Sequence, residues 1–165
     1  PSHDLHSGSY GCAVVNPANA LTEVLGQLHD EDGKIQIEGF YDDVEEVSAE
    51  QITQWNSLGD ADALTLESSG SKATFGEQGF STLERLWSRP TCDINGLRAG
   101  YQGEGAKTVI GATATAKISC RLVAHQKPKA IEKALFAFLK ARTPVGCHCE
   151  LKSFGTAPAI SLPTQ

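Results

Sequence analysis

The pattern of apolar positions along the chain predicts two amphipathic helices. The first begins at Asn16, which can cap it, and at Pro17, which suits a first helical turn. Its apolar side chains share one face, namely Leu21, Val24, Leu25 and Leu28. The second begins at Pro128 and ends near Pro144, and its stripe consists of Ile131, Leu135, Phe138 and Leu139. We expect both helices to cover the same face of a sheet.

Alternation of apolar and polar residues predicts the strands, most clearly over Thr108–Val123. One face of this strand carries Ala116, Ile118, Cys120 and Leu122, and the other carries Lys117, Ser119 and Arg121. Shorter strands are predicted at Lys34–Ile37, at Cys92–Asn95 before a turn at Gly96, and at Cys147–Phe154. The long strand should therefore pack against helices with one face and direct Arg121 away from them.

The order of these elements predicts an α+β fold. Helix, strand, strand, helix and strand match a ferredoxin-like split βαβ arrangement, a two-layer sandwich with an antiparallel sheet and two main helices on one face. The first strand of that arrangement would precede Pro1, and the chain contains no methionine, so we expect a piece excised from a longer protein. Residues 1–165 are enough to form one domain with a single core.

Residues 38–90 are irregular and acidic, and we interpret them as an insertion on the core fold. Capping boxes predict two short helices inside the insertion, one at Ser48 with Gln51 and one at Ser81 with Glu84. The second helix should end before Pro90, because proline disfavours the helical conformation of the residue that precedes it. The polar run Ser68–Lys72 is expected to be a loop.

Composition and charge exclude several classes of protein. The net charge is −6 and no segment clusters Lys or Arg, so we expect no nucleic-acid partner. The longest apolar run, Ala134–Leu139, is too short to cross a bilayer, so we expect no membrane partner. Five cysteines without paired C-x-x-C spacing favour buried thiols in a reducing, cytoplasmic setting over a disulfide scaffold or a zinc site.

Two other segments invite a nucleotide or metal interpretation that their spacing excludes. Gly100–Thr108 is rich in glycine, but its lysine is misplaced for a phosphate loop and a strand follows it instead of a helix. On a strand, Cys147 and Cys149 share a face while His148 lies on the other, so the three cannot converge on a metal ion.

Three side chains remain as candidates for binding an anionic group. His6 lies in the polar, glycine-rich opening PSHDLHSGSYG, Thr108 begins the long strand, and Arg121 lies on its polar face. Imidazole, hydroxyl and guanidinium are donors that bind oxyanions and carboxylates. Residue type alone leaves alternatives open, because His6 can be an ordinary solvated histidine and Arg121 half of a surface ion pair.

Seven segments, in order, resemble the middle domain of the co-catalytic zinc metallopeptidases of the aminoacylase, carboxypeptidase G and carnosine dipeptidase type. They are DLHSGSYG, NPANAL, LHDEDGKI, GFYDDV, STLERLWSRPT, GEGAKTVI and ISCRLV. The chain looks closest to the dipeptidase-like branch, whose middle domain carries an insertion at the same place. It departs from the family pattern at Cys12, Gly111 and Ala124, where glycine, proline and proline are usual.

The resemblance implies a lid or dimerisation domain inserted within a separate catalytic domain. That catalytic domain would supply two zinc ions, their ligands and a glutamate base, so no metal ligand and no activity are expected from this chain alone. His6 would reach across a homodimer to stabilise the oxyanion in the partner's site, Thr108 would approach the same substrate, and Arg121 would bind the substrate's carboxylate. The substrate would be a small peptide or an N-acyl amino acid. The alternative is a non-catalytic association module without any active-site role.

Overall fold

A computed structural model describes residues 1–160 of the chain, as a mixture of helices and short strands. The strands are β1 (Leu5–His6), β2 (Thr91–Ala99), β3 (Val109–Ile110) and β4 (Ala114–Arg121). The helices are α1 (Ser7–Tyr10), α2 (Pro17–Gly26), α3 (Ala49–Asn56), α4 (Ala61–Ser69), α5 (Thr82–Trp87) and α6 (Pro128–Arg142). None of these helices has the length and apolar content that crossing a membrane requires. The α+β class is confirmed.

The core lies between the β2–β4 sheet and the two predicted helices. Strands β2 and β4 run antiparallel, with Cys92 opposite Cys120 and Thr91 opposite Arg121. The apolar stripes of α2 and α6 are buried together in one cluster, against which the inward side chains of β4 pack. The buried helical residues are Val24, Leu25 and Leu28 of the α2 region, with Ile131, Leu135, Phe138 and Leu139 of α6. The two helices and the outward direction of Arg121 are as predicted.

The long predicted strand over Thr108–Val123 is divided in two. Gly111, Ala112 and Thr113 lie outside any strand, so β3 pairs with β1 in a second small antiparallel sheet and only β4 pairs with β2. The predicted turn at Gly96 is wrong, because β2 continues to Ala99. Gly96 instead lies at a shift in the β2–β4 register.

Two other predicted strands are also absent from the described chain. Lys34–Ile37 makes only an isolated bridge, between His29 and Ile35, and Cys147–Phe154 pairs with no strand. Alternating burial is nevertheless present in both segments: Ile35 and Ile37 are buried, and Cys147 and Cys149 are half-buried on either side of an exposed histidine. The alternation therefore records which side chains face the core, and it does not require a partner strand.

The insertion contains three short helices instead of the two predicted. Ser48 caps α3 with one hydrogen bond, from the Gln51 N–H, without the reciprocal half of a capping box. Ser81 and Glu84 form the complete box at the start of α5. The additional helix, α4, begins after Asp60 and occupies the first part of the expected polar loop.

A nearly buried ion pair secures the end of the insertion to the core. The Arg89 guanidinium donates two hydrogen bonds of 2.8 Å to the Glu77 carboxylate. The same guanidinium lies over the rings of Tyr41 and Phe80, 4.8 and 4.2 Å from their centroids. Tyr41 in turn accepts a hydrogen bond from the Ile35 N–H. This cluster fixes the chain immediately before β2, the strand that pairs with β4.

Candidate functional site

A small antiparallel ladder joins two of the three predicted site residues. It pairs β1 with β3, placing His6 opposite Val109, and the Ser7 N–H donates to the Thr108 carbonyl at 3.1 Å. As a result, Nε2 of His6 lies 3.1 Å from Oγ1 of Thr108. The two residues are 102 positions apart, so long-range pairing, and no local motif, brings them together.

The hydrogen bonds around His6 define which ring nitrogen donates. The Gly8 N–H donates to Nδ1 at 3.0 Å, so Nδ1 acts as the acceptor of the neutral ring. Nε2 then carries the proton and donates it to Oγ1 of Thr108, which leaves the threonine's own proton free to point outward. Both side chains are exposed. The chain of donors therefore ends at the surface of the domain.

Gly8 permits this geometry because it has no side chain. The imidazole of His6 folds back over the first turn of α1, and a Cβ at position 8 would lie 2.8 Å from Cε1 of the ring. Real Cβ atoms are not found at that distance from another heavy atom. The glycine of the HSG sequence thus lets His6 act both as the cap of α1 and as a donor to Thr108.

Arg121 belongs to the other sheet. It is the last residue of β4, opposite Thr91, and its side chain is exposed. Within residues 1–160 its guanidinium makes no hydrogen bond or ion pair with another side chain, nor with His6 or Thr108. The structure therefore brings together two of the predicted residues and places the third on a different sheet.

These three residues lie on open surface. A groove of about 550 Å³ runs between β4, α6 and residues 151–159, and none of the three residues lines it. Over the described residues, no three His, Cys, Asp or Glu side chains are grouped in a way that could hold a metal ion.

Asp4 is a site residue that sequence reasoning missed. Its Oδ1 accepts a hydrogen bond of 2.8 Å from the N–H of Ala112, at the far end of the β1–β3 ladder from Thr108. Its partner is a backbone group 108 positions away. Nothing in the sequence identifies that partner, apart from the position of Asp4 two residues before His6.

The sheet also pairs two thiols that the sequence does not connect. Cys92 and Cys120 face each other across β2 and β4. Interaction with the Cys120 thiol, followed by burial, raises the pKa of the Cys92 thiol, while the same interaction lowers the pKa of Cys120. The sequence predicts buried thiols, but only Cys92 is fully buried: Cys12 is exposed, and the other three cysteines are half-buried.

Comparison with known proteins decides the family. A family model described as a peptidase dimerisation domain matches residues 1–147, most of the chain. The chain belongs to the M20 peptidase dimerisation domains. Among curated relatives, this M20 domain is 32% identical over 141 residues to the Beta-Ala-His dipeptidase of Homo sapiens, covering 83% of the chain and 27% of that protein. It is 31% identical over 136 residues to the Cys-Gly metallodipeptidase DUG1 of Candida albicans, covering 82% of the chain and 28% of that protein.

Solved structures agree with this assignment. The M20 domain superposes on human carnosine dipeptidase 1 with a TM-score of 0.75 at 30% identity, over 87% of this chain and 30% of that one. It superposes on the M20 metallo-carboxypeptidase Sso-CP2 of Sulfolobus solfataricus with the same TM-score, 0.75, at 32% identity. That match covers 86% of this chain and 37% of that one. The chain thus spans less than two fifths of the length of each of these proteins.

Proposed function

We propose that residues 1–165 form the lid and dimerisation domain of a dinuclear-zinc M20 dipeptidase that hydrolyses dipeptides or N-acyl amino acids. Relatives named for their action on Beta-Ala-His and Cys-Gly dipeptides, at 31–32% identity, support a dipeptide substrate. The observation that carries the proposal is the 3.1 Å contact between His6 and Thr108. It gathers two exposed donors on one small surface.

Hydrolysis of an amide needs donors where negative charge develops. When water attacks the scissile carbonyl, the carbonyl oxygen becomes an oxyanion that preorganised N–H and O–H groups stabilise. The Gly8 N–H holds the His6 ring from one side, and the β1–β3 ladder holds the backbone of Thr108. The free proton of the Thr108 hydroxyl can donate to a substrate oxygen directly, and the imidazole N–H of His6 donates to it once the N–H exchanges its bond to Thr108 for one to that oxygen.

In this proposal the pair serves the active site of the partner subunit in a homodimer. His6 and Thr108 lie on an open surface, which fits a site that a second surface completes. The zinc ions, held by ligands of the catalytic domain, would supply an activated water at that site. The residues of this domain bind and orient the substrate and stabilise its charge.

Arg121 has a separate role in the proposal. The Arg121 guanidinium is exposed and has no side-chain partner within the described chain. It can therefore donate two parallel hydrogen bonds to a carboxylate. We assign it to the C-terminal carboxylate of the substrate.

Free thiols in all five cysteine positions support a cytoplasmic enzyme.

The test is His6→Ala in the full-length enzyme. Because one oxyanion donor typically contributes about 10²–10³ in rate, we expect kcat to fall by that factor while zinc content stays at the wild-type level. Steady-state kinetics with a dipeptide and metal analysis of the same preparation measure both quantities. His148→Ala is the matched control, because His148 is an exposed histidine whose ion-pair partner is the neighbouring Glu150.

The opposite outcome identifies the alternative function. If His6→Ala forms dimers and turns over substrate at the wild-type rate, the domain serves only for association and the role assigned to His6 is wrong. A parallel loss of zinc would show instead that the substitution damaged the fold.

A further inference from the structure

The ladder that carries His6 and Thr108 is too short to fix its own register. It consists of two residue pairs, and an isolated pair of short strands is only marginally stable in water. Because successive side chains of a strand point to opposite faces, a slip of one residue would turn His6 away from Thr108. Burial of Ile110 anchors β3 in the interior, but the register of β1 against it needs a contact outside the two pairs.

Hydrogen bonds close the ladder at both ends. At one end the Ser7 N–H donates to the Thr108 carbonyl at 3.1 Å. At the other end the Asp4 carboxylate accepts the Ala112 N–H at 2.8 Å. Ala112 lies between β3 and β4 and outside both strands, so its N–H is not part of the strand pairing. The carboxylate of Asp4 thus takes the place of a ladder carbonyl at the point where pairing ends.

We propose that Asp4 is a positioning residue for the His6–Thr108 pair. A bond from a backbone N–H to a carboxylate is about twice as strong as one between neutral groups. It can form at one register only, because Asp4 immediately precedes β1 and Ala112 lies two residues after β3. Among the described residues the Asp4 carboxylate makes no hydrogen bond to the His6 ring or to Thr108, so it acts through the backbone. The inference rests on the proposed function, in which the geometry of the pair sets the rate.

The experiment compares three variants of the full-length enzyme. Asp4→Ala removes the acceptor, and we expect kcat to fall about tenfold, because small misplacements of a catalytic group cost that much or more. Asp4→Asn keeps an oxygen that can accept the Ala112 N–H, and we expect it to retain most of the wild-type kcat. The control is Asp62→Ala, in the first turn of α4 and outside the ladder.

Three further readouts separate positioning from general stability. KM for the dipeptide should stay within about twofold of wild type in all three variants, since Asp4 does not touch the substrate. Hydrogen exchange of a peptide covering residues 105–113 should be faster in Asp4→Ala and unchanged in Asp4→Asn. The melting temperature should be the same for Asp4→Ala as for the Asp62→Ala control.

The contrary results are distinct from those that concern His6. If Asp4→Ala has wild-type kcat and exchange, or if Asp4→Asn loses as much activity as Asp4→Ala, the positioning role is wrong. A fully active His6→Ala enzyme contradicts the proposed function itself. An inactive His6→Ala enzyme beside a fully active Asp4→Ala enzyme contradicts only the role of Asp4.

Discussion

Arg121 ends β4 with an exposed guanidinium, and its chemistry differs from that of lysine. Arginine donates two hydrogen bonds to a carboxylate from a planar guanidinium, whereas lysine has a compact charge on a flexible side chain. We therefore expect Arg121→Lys in the full-length enzyme to raise KM about tenfold for a dipeptide with a free C-terminus, equivalent to about 1.4 kcal/mol of binding. A C-terminally amidated dipeptide, compared by steady-state kinetics, should show no such change.

The control for Arg121 lies on the same strand face. Lys117 is exposed and lies four residues before Arg121 along β4, so Lys117→Ala changes the local charge without removing the proposed carboxylate ligand. It should leave the kinetics of both substrates at wild-type values. An equal loss for the free and the amidated dipeptide in Arg121→Lys would contradict carboxylate binding.

Individual residues were predictable where their chemistry is unusual for their position. His6 and Thr108 follow from donor type and from the HSG and AKT segments that carry the family resemblance. Their contact was not predictable, because it depends on a two-pair ladder between segments about a hundred residues apart. Asp4 was missed altogether, since any residue can supply the backbone N–H that its carboxylate binds.

Whole elements follow from the sequence when their side chains are arranged on one face. Helices α2 and α6 have such stripes and begin and end close to the predicted residues. Helix α4 was missed because it has no continuous apolar face: Leu64 is 61% exposed and the helix buries no residue fully. Its remaining signals are the Asp60 cap and Gly70, which adopts the left-handed conformation that ends helices.

The capping box of α5 allows a test at this scale. Ser81 and Glu84 satisfy each other's free backbone groups, so Ser81→Ala should cost about 1 kcal/mol of local helix stability. Hydrogen exchange of the α5 amides should then be roughly fivefold faster than in wild type. Ser71→Ala, in the loop after α4, is the control. Unchanged exchange in α5, or an equal increase in the control, would show that packing and not the cap holds this helix.

At the scale of the whole molecule, the domain exposes the hydrogen-bond donors of His6 and Thr108. In the proposed function, the catalytic groups that they assist belong to a separate catalytic domain. The chain spans 28% and 27% of the length of the two dipeptidase relatives compared above, and its His6–Thr108 pair is exposed. Through the resemblance, the sequence predicts that a separate catalytic domain supplies those groups, because the order and content of family motifs depend on residue types. Which subunit's active site His6 contributes to depends instead on how two complete chains associate. An experiment on mixed dimers can determine it.

Action across the dimer makes a quantitative prediction. If His6 serves the partner's site, a subunit carrying His6→Ala and a subunit inactivated in its catalytic domain together rebuild one complete site. Mixed dimers, isolated with two different affinity tags, should then show roughly half the wild-type kcat per dimer, because a two-fold dimer has two equivalent sites.

Both parent homodimers should be nearly inactive in the same assay. If His6 acted within its own subunit, the mixed dimer would contain no complete site and would be as inactive as its parents. The isolated domain of residues 1–165 is the negative control, since hydrolysis by it would place the catalytic chemistry in this domain and contradict the proposed function.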